Sequence, residues 1–287
     1  MKKWLYSVLG NSQKLDGGAM FGNAPKELWS RWTVPDEKNR IDLACRSALI
    51  KEPNRRILLD VGIGAFFEPK LQNRFGVTNT NHVLLENLNK LGLTDANIDV
   101  VVLSHLHFDH VGGIVTRFNE HKPLRLLFPN AQFIVSRDNW LRAKNPHPRD
   151  KASFIPEIID LLENSGRLNL VSKSHSDILG NEYQFHYSDG HTPGLLITEI
   201  YSKDGSIFYG TDLIPGRAWI HQSITMGYDR YPELLIDEKK EFLDYIHQSN
   251  GRIFFTHDPE IALVRISKEH GRYGSYAIQS NIHSLLI

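Results

Sequence analysis

The hydrophobic positions of the chain fall into short apolar runs and into stretches where they recur at helical spacing. Runs rich in β-branched and aromatic residues predict strands at 4–9, 41–50, 56–60, 98–103, 132–135, 168–171, 183–187, 195–201, 206–209 and 252–255. Helical spacing predicts helices at 83–91, 138–143, 155–162 and 242–246. Strand clusters followed by helices indicate two sheets flanked by helices, although this pattern alone does not separate an α/β from an α+β fold.

One segment, residues 16–40, shows no clean period. It contains glycines and prolines, yet it also carries the large apolar side chains of Met20, Phe21, Trp29 and Trp32. A loop this apolar must bury itself over a pocket, against the core or against a partner chain. Covering the core is the simplest of these interpretations.

Composition and charge narrow the class of protein. With 41% hydrophobic residues the chain can form a sizeable core, and its 287 residues suffice for one large domain or two small ones. Basic and acidic residues are equal in number, 33 of each, and give no indication of binding to nucleic acid or to an anionic membrane. Cys45 is the only cysteine, which excludes an intramolecular disulfide and is consistent with a reducing compartment.

The beginning of the chain carries no recognisable targeting signal. Its first apolar run, Trp4–Leu9, is too short for the core of a signal peptide. No apolar run approaches the roughly 20 residues that a membrane-spanning helix needs. We therefore expect a cytoplasmic protein.

The strongest chemical signal is the run Ser104-His105-Leu106-His107-Phe108-Asp109-His110. It follows the predicted strand 98–103, and on an extended segment His105 and His107 point to the same side. Neutral imidazoles and carboxylates are ligands of Zn²⁺ and similar divalent ions. A chance cluster in a polar loop would leave several rings at a buried strand end in need of partners. The run therefore predicts a metal site.

This run resembles the His-x-His-x-Asp-His signature of the metallo-β-lactamase superfamily. In that family the remaining ligands lie downstream, each at the end of a strand. Matching segments follow in the family's order: Gly190-His191-Thr192-Pro193-Gly194, Gly210-Thr211-Asp212 and Phe255-Thr256-His257. The resemblance spans most of the chain. It implies an α/β fold of the αββα sandwich type, as a single domain over residues 1–287.

The resemblance also implies a centre of two divalent ions per chain. The family's pattern assigns His105, His107 and His191 to one ion, Asp109, His110 and His257 to the second, and Asp212 to both. Nitrogen and oxygen ligands with a bridging carboxylate suit Zn²⁺ by default and also admit Mn²⁺, Fe²⁺ or Co²⁺. An aspartate at the position of Asp60 supports the ligands in the family, but Val61 departs from the usual Asp-Thr-Gly.

Such a centre implies hydrolysis. Two ions lower the pKa of a shared water and so provide a bridging hydroxide as the nucleophile. The resemblance makes Asp212 the bridging ligand and Asp109 the carrier of a proton to the leaving group. Redox members of the superfamily carry a glutamate in the place of His107 and need a flavodoxin-like domain, for which the chain is too short.

The closer resemblance is to the acyl-homoserine lactonase and methyl parathion hydrolase branch. The run Ser-His-Leu-His-Phe-Asp-His-x-Gly-Gly at 104–113 and the stretch from Asp212 to Pro232 carry it. It implies opening of a lactone, as in quorum quenching, or cleavage of a related ester. Hydrolysis of a phosphoester or phosphotriester on the same site is the alternative. Lactonases place a substrate-contacting tyrosine where this chain has Pro215.

A non-catalytic binding protein on the same fold is a further alternative, against which the retention of every ligand argues. We expect a small-molecule substrate and no nucleic-acid or membrane partner, and a homodimer remains open. The remaining histidines are expected to be ordinary surface residues: His82, His121, His147, His175, His186, His247, His270 and His283.

An apolar substrate pocket is expected at the loop 16–40, at Phe108 and at the segment 214–232. Large side chains in stretches without periodicity are typical of pocket walls. The candidate substrate contacts are Met20, Phe21, Phe108, Tyr228 and His221. The alternative is that such residues cover the core or bury a dimer interface.

Overall fold

The structure is a computed structural model that describes residues 2–287. Its strands are β1 (Trp4–Leu9), β2 (Gln13–Asp16), β3 (Arg40–Leu43), β4 (Arg46–Lys51), β5 (Arg56–Leu59), β6 (Val100–Val102), β7 (Gln132–Ser136), β8 (Leu168–Val171), β9 (Tyr183–Ser188), β10 (Leu195–Ile200), β11 (Ile207–Tyr209), β12 (Arg252–Phe254), β13 (Leu263–Glu269), β14 (Arg272–Gln279) and β15 (Leu285–Leu286). Its helices are α1 (Gly17–Phe21), α2 (Lys26–Trp29), α3 (Pro69–Arg74), α4 (Val83–Lys90), α5 (Phe108–Val111), α6 (Arg137–Lys144), α7 (Pro156–Glu163) and α8 (Pro232–Gln248).

The chain divides into two compact units, of which the first contains residues up to Gln13, Ala44–Ser172 and His283–Ile287. Its sheet has the strand order β15-β1-β4-β5-β6-β7-β8. Strands β5 to β8 run parallel, and all of β6 is buried, as is typical of central parallel strands. The carboxyl ends of β5 and β6 therefore lie at the same edge, where Asp60 and Ser104 follow them.

Two glycines allow the backbone after the histidine run to lie directly on the turn after β5. A Cβ on Gly112 would lie 2.2 Å from the carbonyl oxygen of Ile63, and one on Gly113 would lie 2.1 Å from that of Val61. Gly113 donates its N–H to Gly62, and Val61 donates to the carbonyl of His110. Only glycine permits this approach, which fixes α5 against the end of β5.

The second unit contains Lys14–Leu43 and Lys173–Ile282. Its sheet has the order β14-β13-β12-β11-β10-β9, and only the central pair β11 and β12 runs parallel within it. The carboxyl ends of these two strands therefore share an edge, where Asp212 and His257 follow. Strands β2 and β3 form a separate two-stranded ribbon.

Helix α8 contributes much of the core of the second unit. Leu235, Phe242, Leu243 and Ile246 lie on its buried side, at the spacing of one helix face. Lys239 occupies the same face and is also fully buried. A lysine among apolar residues at this depth requires polar partners.

Most predicted elements are present, but the strands β2, β13, β14 and β15 and the helices α3 and α5 were not predicted. Three further differences concern segments that the sequence analysis described. The predicted strand 41–50 is two strands, β3 and β4, which belong to different units. The segment 16–40 contains two short helices, the first capped by Asp16, whose Oδ1 accepts from the backbone N–H of Ala19 at 2.8 Å. Helix α8 begins at Pro232 rather than near 242, because proline at the first helical position starts the helix before its apolar spacing becomes regular.

The prediction of one domain over 1–287 stays a prediction. Between residues 2 and 287, no helix has both the length and the apolar character needed to cross a membrane.

Candidate metal centre

Two predicted ligands, His105 and His107, lie in the turn that follows β6. Leu103 still donates its backbone N–H to Ile134 of β7, and His107 then occupies the N-cap position of α5. His105 Nε2 and His107 Nδ1 lie 3.1 Å apart, and both rings are buried. The two side chains thus point to one place, as the alternation along the strand end predicts.

The ring of His110 is held by Asp60. His110 Nδ1 lies 2.8 Å from Asp60 Oδ2, while Asp60 Oδ1 accepts from the backbone N–H of Ser104 at 2.7 Å. Ser104 Oγ donates to Asp60 Oδ2 at 2.6 Å. A carboxylate on Nδ1 orients an imidazole so that Nε2 faces a metal ion. The contact is the one expected of Asp60, even though Val61 departs from the family's pattern.

Asp109 is held by Gln13, a residue that sequence analysis did not identify. Gln13 Nε2 donates to Asp109 Oδ2 at 2.6 Å, and Gln13 is fully buried. Asp109 Oδ1 lies 4.0 Å from His110 Nε2. Gln13 Oε1 has no hydrogen-bond partner within residues 2–287. The amide thus fixes one carboxylate oxygen and leaves the other on the side of His110.

The second unit supplies three predicted ligands around one carboxylate. Asp212 Oδ2 lies 3.2 Å from His191 Nε2, and Asp212 Oδ1 lies 3.2 Å from His257 Nε2. All three side chains are buried. Thr211 has φ of 42°, a left-handed turn just before the aspartate. Each oxygen of Asp212 therefore faces a different histidine, which is the arrangement a bridging ligand needs.

A backbone hydrogen bond and the side chain of Glu238 position these loops. His257 donates its N–H to the carbonyl of Pro215 at 2.9 Å, so the residue in the place of the lactonase tyrosine supports a ligand loop. Glu238 of α8 accepts from Ser188 Oγ at 2.6 Å and from the N–H groups of Asp189 and Gly190, directly before His191.

Asp229 orients His191, and sequence analysis also missed this residue. His191 Nδ1 lies 2.8 Å from Asp229 Oδ1, and Asp229 Oδ2 accepts from the backbone N–H of Met226 at 2.6 Å. Asp229 is fully buried. Its position beside Tyr228 in an irregular segment gives no sequence signal of this contact. The pair repeats in the second unit what Asp60 and His110 do in the first.

These donors fit divalent metal ions. Ligand atoms at about 2.0–2.2 Å from one ion lie at most about 4.4 Å apart, which the His105–His107 pair and both contacts of Asp212 satisfy. Burying three histidines and a carboxylate in one run would lower the stability of the fold unless these side chains had polar partners or a metal ion. Every predicted ligand belongs to a group of three histidine or aspartate side chains that could hold a metal ion: His105, His107, Asp109, His110, His191, Asp212 and His257.

Phe108, the predicted substrate contact in the first unit, belongs to an aromatic cluster. Its ring centroid lies 4.6 Å from that of Phe75 and 5.4 Å from that of Phe67, the latter in an edge-to-face arrangement. The side chain is 8% exposed. It lies between the predicted ligands His107 and Asp109 in the sequence.

In the second unit, the segments 16–40 and 214–232 contact each other. Phe21 stacks between Trp29 and Trp219, with centroids 5.5 and 4.6 Å away, and is 1% exposed. Met20 is equally buried and accepts from Trp219 Nε1 through its carbonyl. These residues lie in the core of the unit, as one interpretation of the segment predicts.

The other two substrate candidates are exposed. Tyr228 is 40% exposed, and His221 lies at the surface with its ring 6.4 Å from that of Trp32. Their contact with a substrate, like that of Met20, Phe21 and Phe108, stays a prediction.

One predicted surface histidine is buried. His82 is the N-cap of α4, and its Nε2 lies 3.0 Å from the carbonyl oxygen of Gly113. Burial lowers the pKa of His82 below its ordinary value. The prediction of a surface residue was wrong because a capping role and a contact made 31 residues away leave no periodic signal.

A cavity of about 350 Å³ in the second unit is lined by other residues, among them His186, Glu238, Phe242 and Tyr245. His186 Nε2 lies 2.7 Å from the buried carboxylate of Glu199. None of the predicted ligands is among the residues lining this cavity.

A model of the metallo-beta-lactamase superfamily matches residues 40–257, which is more than half of the chain and includes every predicted ligand. The chain belongs to the metallo-beta-lactamase superfamily. This membership in a family of metallohydrolases confirms the predicted fold class and the prediction of a metal-dependent hydrolase.

Curated members of the superfamily similar to this chain are N-acyl homoserine lactonases. One from Bacillus thuringiensis is 24% identical over 175 residues, which cover 60% of this chain and 61% of the relative. The chain thus spans about three fifths of that relative's length. Another, from Bacillus sp., is 23% identical over 241 residues, or 77% of this chain and 83% of the relative.

Solved structures of the superfamily match more of the chain. A probable metal-dependent hydrolase from Staphylococcus aureus has a TM-score of 0.84 and 28% identity, over 99% of this chain and 97% of that one. A dizinc quorum-quenching lactonase in complex with a product has a TM-score of 0.74 and 22% identity, over 96% and 94%. At that identity the second likeness establishes the fold alone.

Proposed function

We propose that this chain binds two divalent metal ions, zinc by default, and opens a lactone of the acyl-homoserine lactone type or cleaves a related ester. The observation that carries the proposal is the Asp212 carboxylate, each of whose oxygens lies 3.2 Å from a different histidine. A carboxylate in that arrangement suits two ions better than one, because a single ion would need only one of its oxygens. The similarity to N-acyl homoserine lactonases supports the choice of substrate.

The residues that would hold the ions are those of the family's pattern. One ion takes His105, His107 and His191, the other takes Asp109, His110 and His257, and Asp212 serves both. Two ions bound there would lower the pKa of a water molecule and polarise the carbonyl oxygen of the substrate.

The residues behind the ligands keep them in place. Asp60 accepts a hydrogen bond from Nδ1 of His110, and Asp229 accepts one from Nδ1 of His191. Each histidine is thereby oriented so that its Nε2 is available to a metal ion. Gln13 holds Oδ2 of Asp109. These contacts reduce the rearrangement that metal binding and turnover require.

Asp109 carries a proton to the leaving oxygen. When the ester C–O bond of a lactone breaks, the departing alkoxide needs a proton to become the hydroxyl group of the ring-opened acid. Asp109 is the carboxylate among the four predicted ligands of the first unit, and its side chain is 12% exposed, whereas that of His110 is 0% exposed.

The first experiment counts ions. Protein purified without chelator should contain close to two equivalents of divalent metal by elemental analysis. Asp212→Ala should lose both ions, whereas Asp109→Asn should lose turnover and keep part of the metal. One equivalent that added metal does not raise would refute the dinuclear centre.

The second experiment identifies the substrate. A panel of acyl-homoserine lactones, aryl esters and phosphotriesters is assayed with the metal-loaded protein. We expect the lactones to give the highest kcat/KM, with longer acyl chains favoured by up to about 0.8 kcal/mol per buried methylene. Phe108→Ala and Tyr228→Ala should flatten that dependence and leave the metal content unchanged. Preferred hydrolysis of phosphotriesters would replace the lactone by the phosphotriester as substrate.

A further inference from the structure

Lys239 is a buried charge that the proposed reaction does not use. It lies on the apolar face of α8 and is 0% exposed, and its Nζ donates to the carbonyl oxygen of Ile224 at 2.5 Å. Its neighbours along that face are apolar: Leu235, Phe242, Leu243 and Ile246. Removing an ammonium group from water is unfavourable, so a lysine is retained at such a place only if its charge or its hydrogen bond is needed.

The segment that Lys239 contacts ends at the residue that orients a metal ligand. Ile224 begins the stretch 224–229, and Asp229 closes it by accepting from the backbone N–H of Met226. The other oxygen of Asp229 accepts from Nδ1 of His191. Lys239 thus contacts one end of a segment whose other end, Asp229, contacts His191.

The charges of Lys239 and Asp229 also act on each other. Burial lowers the pKa of Lys239 to about 8, and the negative charge of Asp229 raises it in opposition.

We propose that Lys239 is a positioning residue for the metal centre, which strengthens binding of the ion on His191 because its ammonium group, through the hydrogen bond to the carbonyl oxygen of Ile224, holds the segment that carries Asp229. This inference rests on the proposed metal centre. A carboxylate behind a metal-binding histidine raises the basicity of the ring, and loss of such a partner weakens metal binding by about 10- to 100-fold. Lys239 acts one residue further away, so we expect the lower end of that range.

The test compares metal binding by variants of α8 at pH 7, measured by competition with a chelator that resolves two dissociation constants. Lys239→Gln keeps a hydrogen-bond donor and removes the charge, and Lys239→Met removes both. Lys240→Met is the matched control, because Lys240 is the next residue of the helix and its ammonium is exposed and paired with Asp244. Urea unfolding of each protein shows whether it is folded.

We expect Lys239→Gln and Lys239→Met to weaken one of the two ions by about tenfold and the other by less than about twofold. Lys240→Met should change neither. In an Asp229→Asn background, Lys239→Gln should have no further effect, because the carboxylate that orients His191 is already gone. The visible spectrum of the Co²⁺-loaded protein reports the geometry of the ligands, and it should change in Lys239→Gln and not in Lys240→Met.

Two results would overturn the inference. In the first, Lys239→Gln is folded and binds both ions as tightly as the wild type. In the second, Lys239→Gln weakens binding by the same factor with and without Asp229. Either result leaves the proposed function standing, as long as the wild type binds two ions. A wild-type chain that binds fewer than two ions would overturn both.

Discussion

Replacing Gln13 by methionine tests whether its amide positions Asp109. Gln13 is 0% exposed, and its Nε2 donates to Asp109 Oδ2 at 2.6 Å, a short hydrogen bond to a charged group. Methionine has a similar length and fills the same space without a donor. The variant therefore removes the hydrogen bond and leaves little room for a cavity.

Gln13→Met is expected to change stability little and metal binding strongly. A hydrogen bond to a charged group contributes about 1.5–3 kcal/mol, whereas an unpaired buried acceptor costs about 1–3 kcal/mol. Gln13 makes such a hydrogen bond through Nε2, and it carries such an unpaired acceptor in Oε1, which has no partner within the described residues 2–287. Gln13→Met removes the stabilising hydrogen bond and also removes the cost of the unpaired acceptor. Because these two changes have opposite signs, the variant should change the free energy of unfolding of the metal-free protein by no more than about 1–2 kcal/mol.

Metal binding has no such compensation. Loss of a residue that orients a ligand weakens binding by about 10- to 100-fold, or about 1.4–2.8 kcal/mol, which agrees with the value of one charge-assisted hydrogen bond. The affected ion should be the one that Asp109 holds. Chelator competition measures both dissociation constants, and urea unfolding of the metal-free protein measures stability.

Asn11→Leu is the matched control, because Asn11 is also a buried amide and precedes Gln13 by two residues. Within the described residues 2–287 its side chain bonds only backbone groups, those of Asn79, Asn81 and Val83. Asn11→Leu should lower stability and leave metal affinity unchanged. If Gln13→Met bound both ions normally, or lost stability and affinity together as a misfolded protein would, the positioning role of Gln13 would be refuted.

Two further predictions concern stability. Phe21→Ala should lower the free energy of unfolding by about 3–5 kcal/mol, because its ring is 1% exposed and stacks on Trp29 and Trp219; a loss below about 1 kcal/mol in urea unfolding would show that Phe21 is not a core residue. Burial lowers the pKa of His82 below 6.5, so the unfolded chain binds more protons there and stability should fall as the pH drops below about 6.5. His82→Asn, which keeps a helix-capping side chain, should reduce that fall between about pH 7.5 and 5.5, and an unchanged pH dependence would contradict the assignment to His82.

Much of the fold and the ligand set could be predicted from the sequence. Apolar β-branched runs such as 98–103 predict strands because alternation and burial act locally along a few residues. The predicted ligands follow such runs directly, as His105 follows β6 and His257 follows β12. Their chemistry is also local, since an imidazole or a carboxylate at a strand end is a metal donor whatever surrounds it.

The residues that support the ligands came only from the tertiary structure. Gln13 lies 96 residues from Asp109, and Asp229 lies 38 residues from His191. Neither position belongs to a periodic pattern. In the sequence alone, the amide of Gln13 and the carboxylate of Asp229 are indistinguishable from ordinary polar residues. Lys239 interrupts the apolar face of α8, and only the tertiary structure shows that it is there bonded to the carbonyl oxygen of Ile224.

The same distinction explains the segment 16–40. Its composition predicts burial, because large aromatic side chains stabilise a protein when they leave water. Composition does not determine which surface covers them. The stacking of Phe21 between Trp29 and Trp219, 198 residues further along the chain, is decided by how the backbone folds back on itself. Local sequence thus determines which groups seek burial or metal ions, and tertiary packing determines which distant groups meet them.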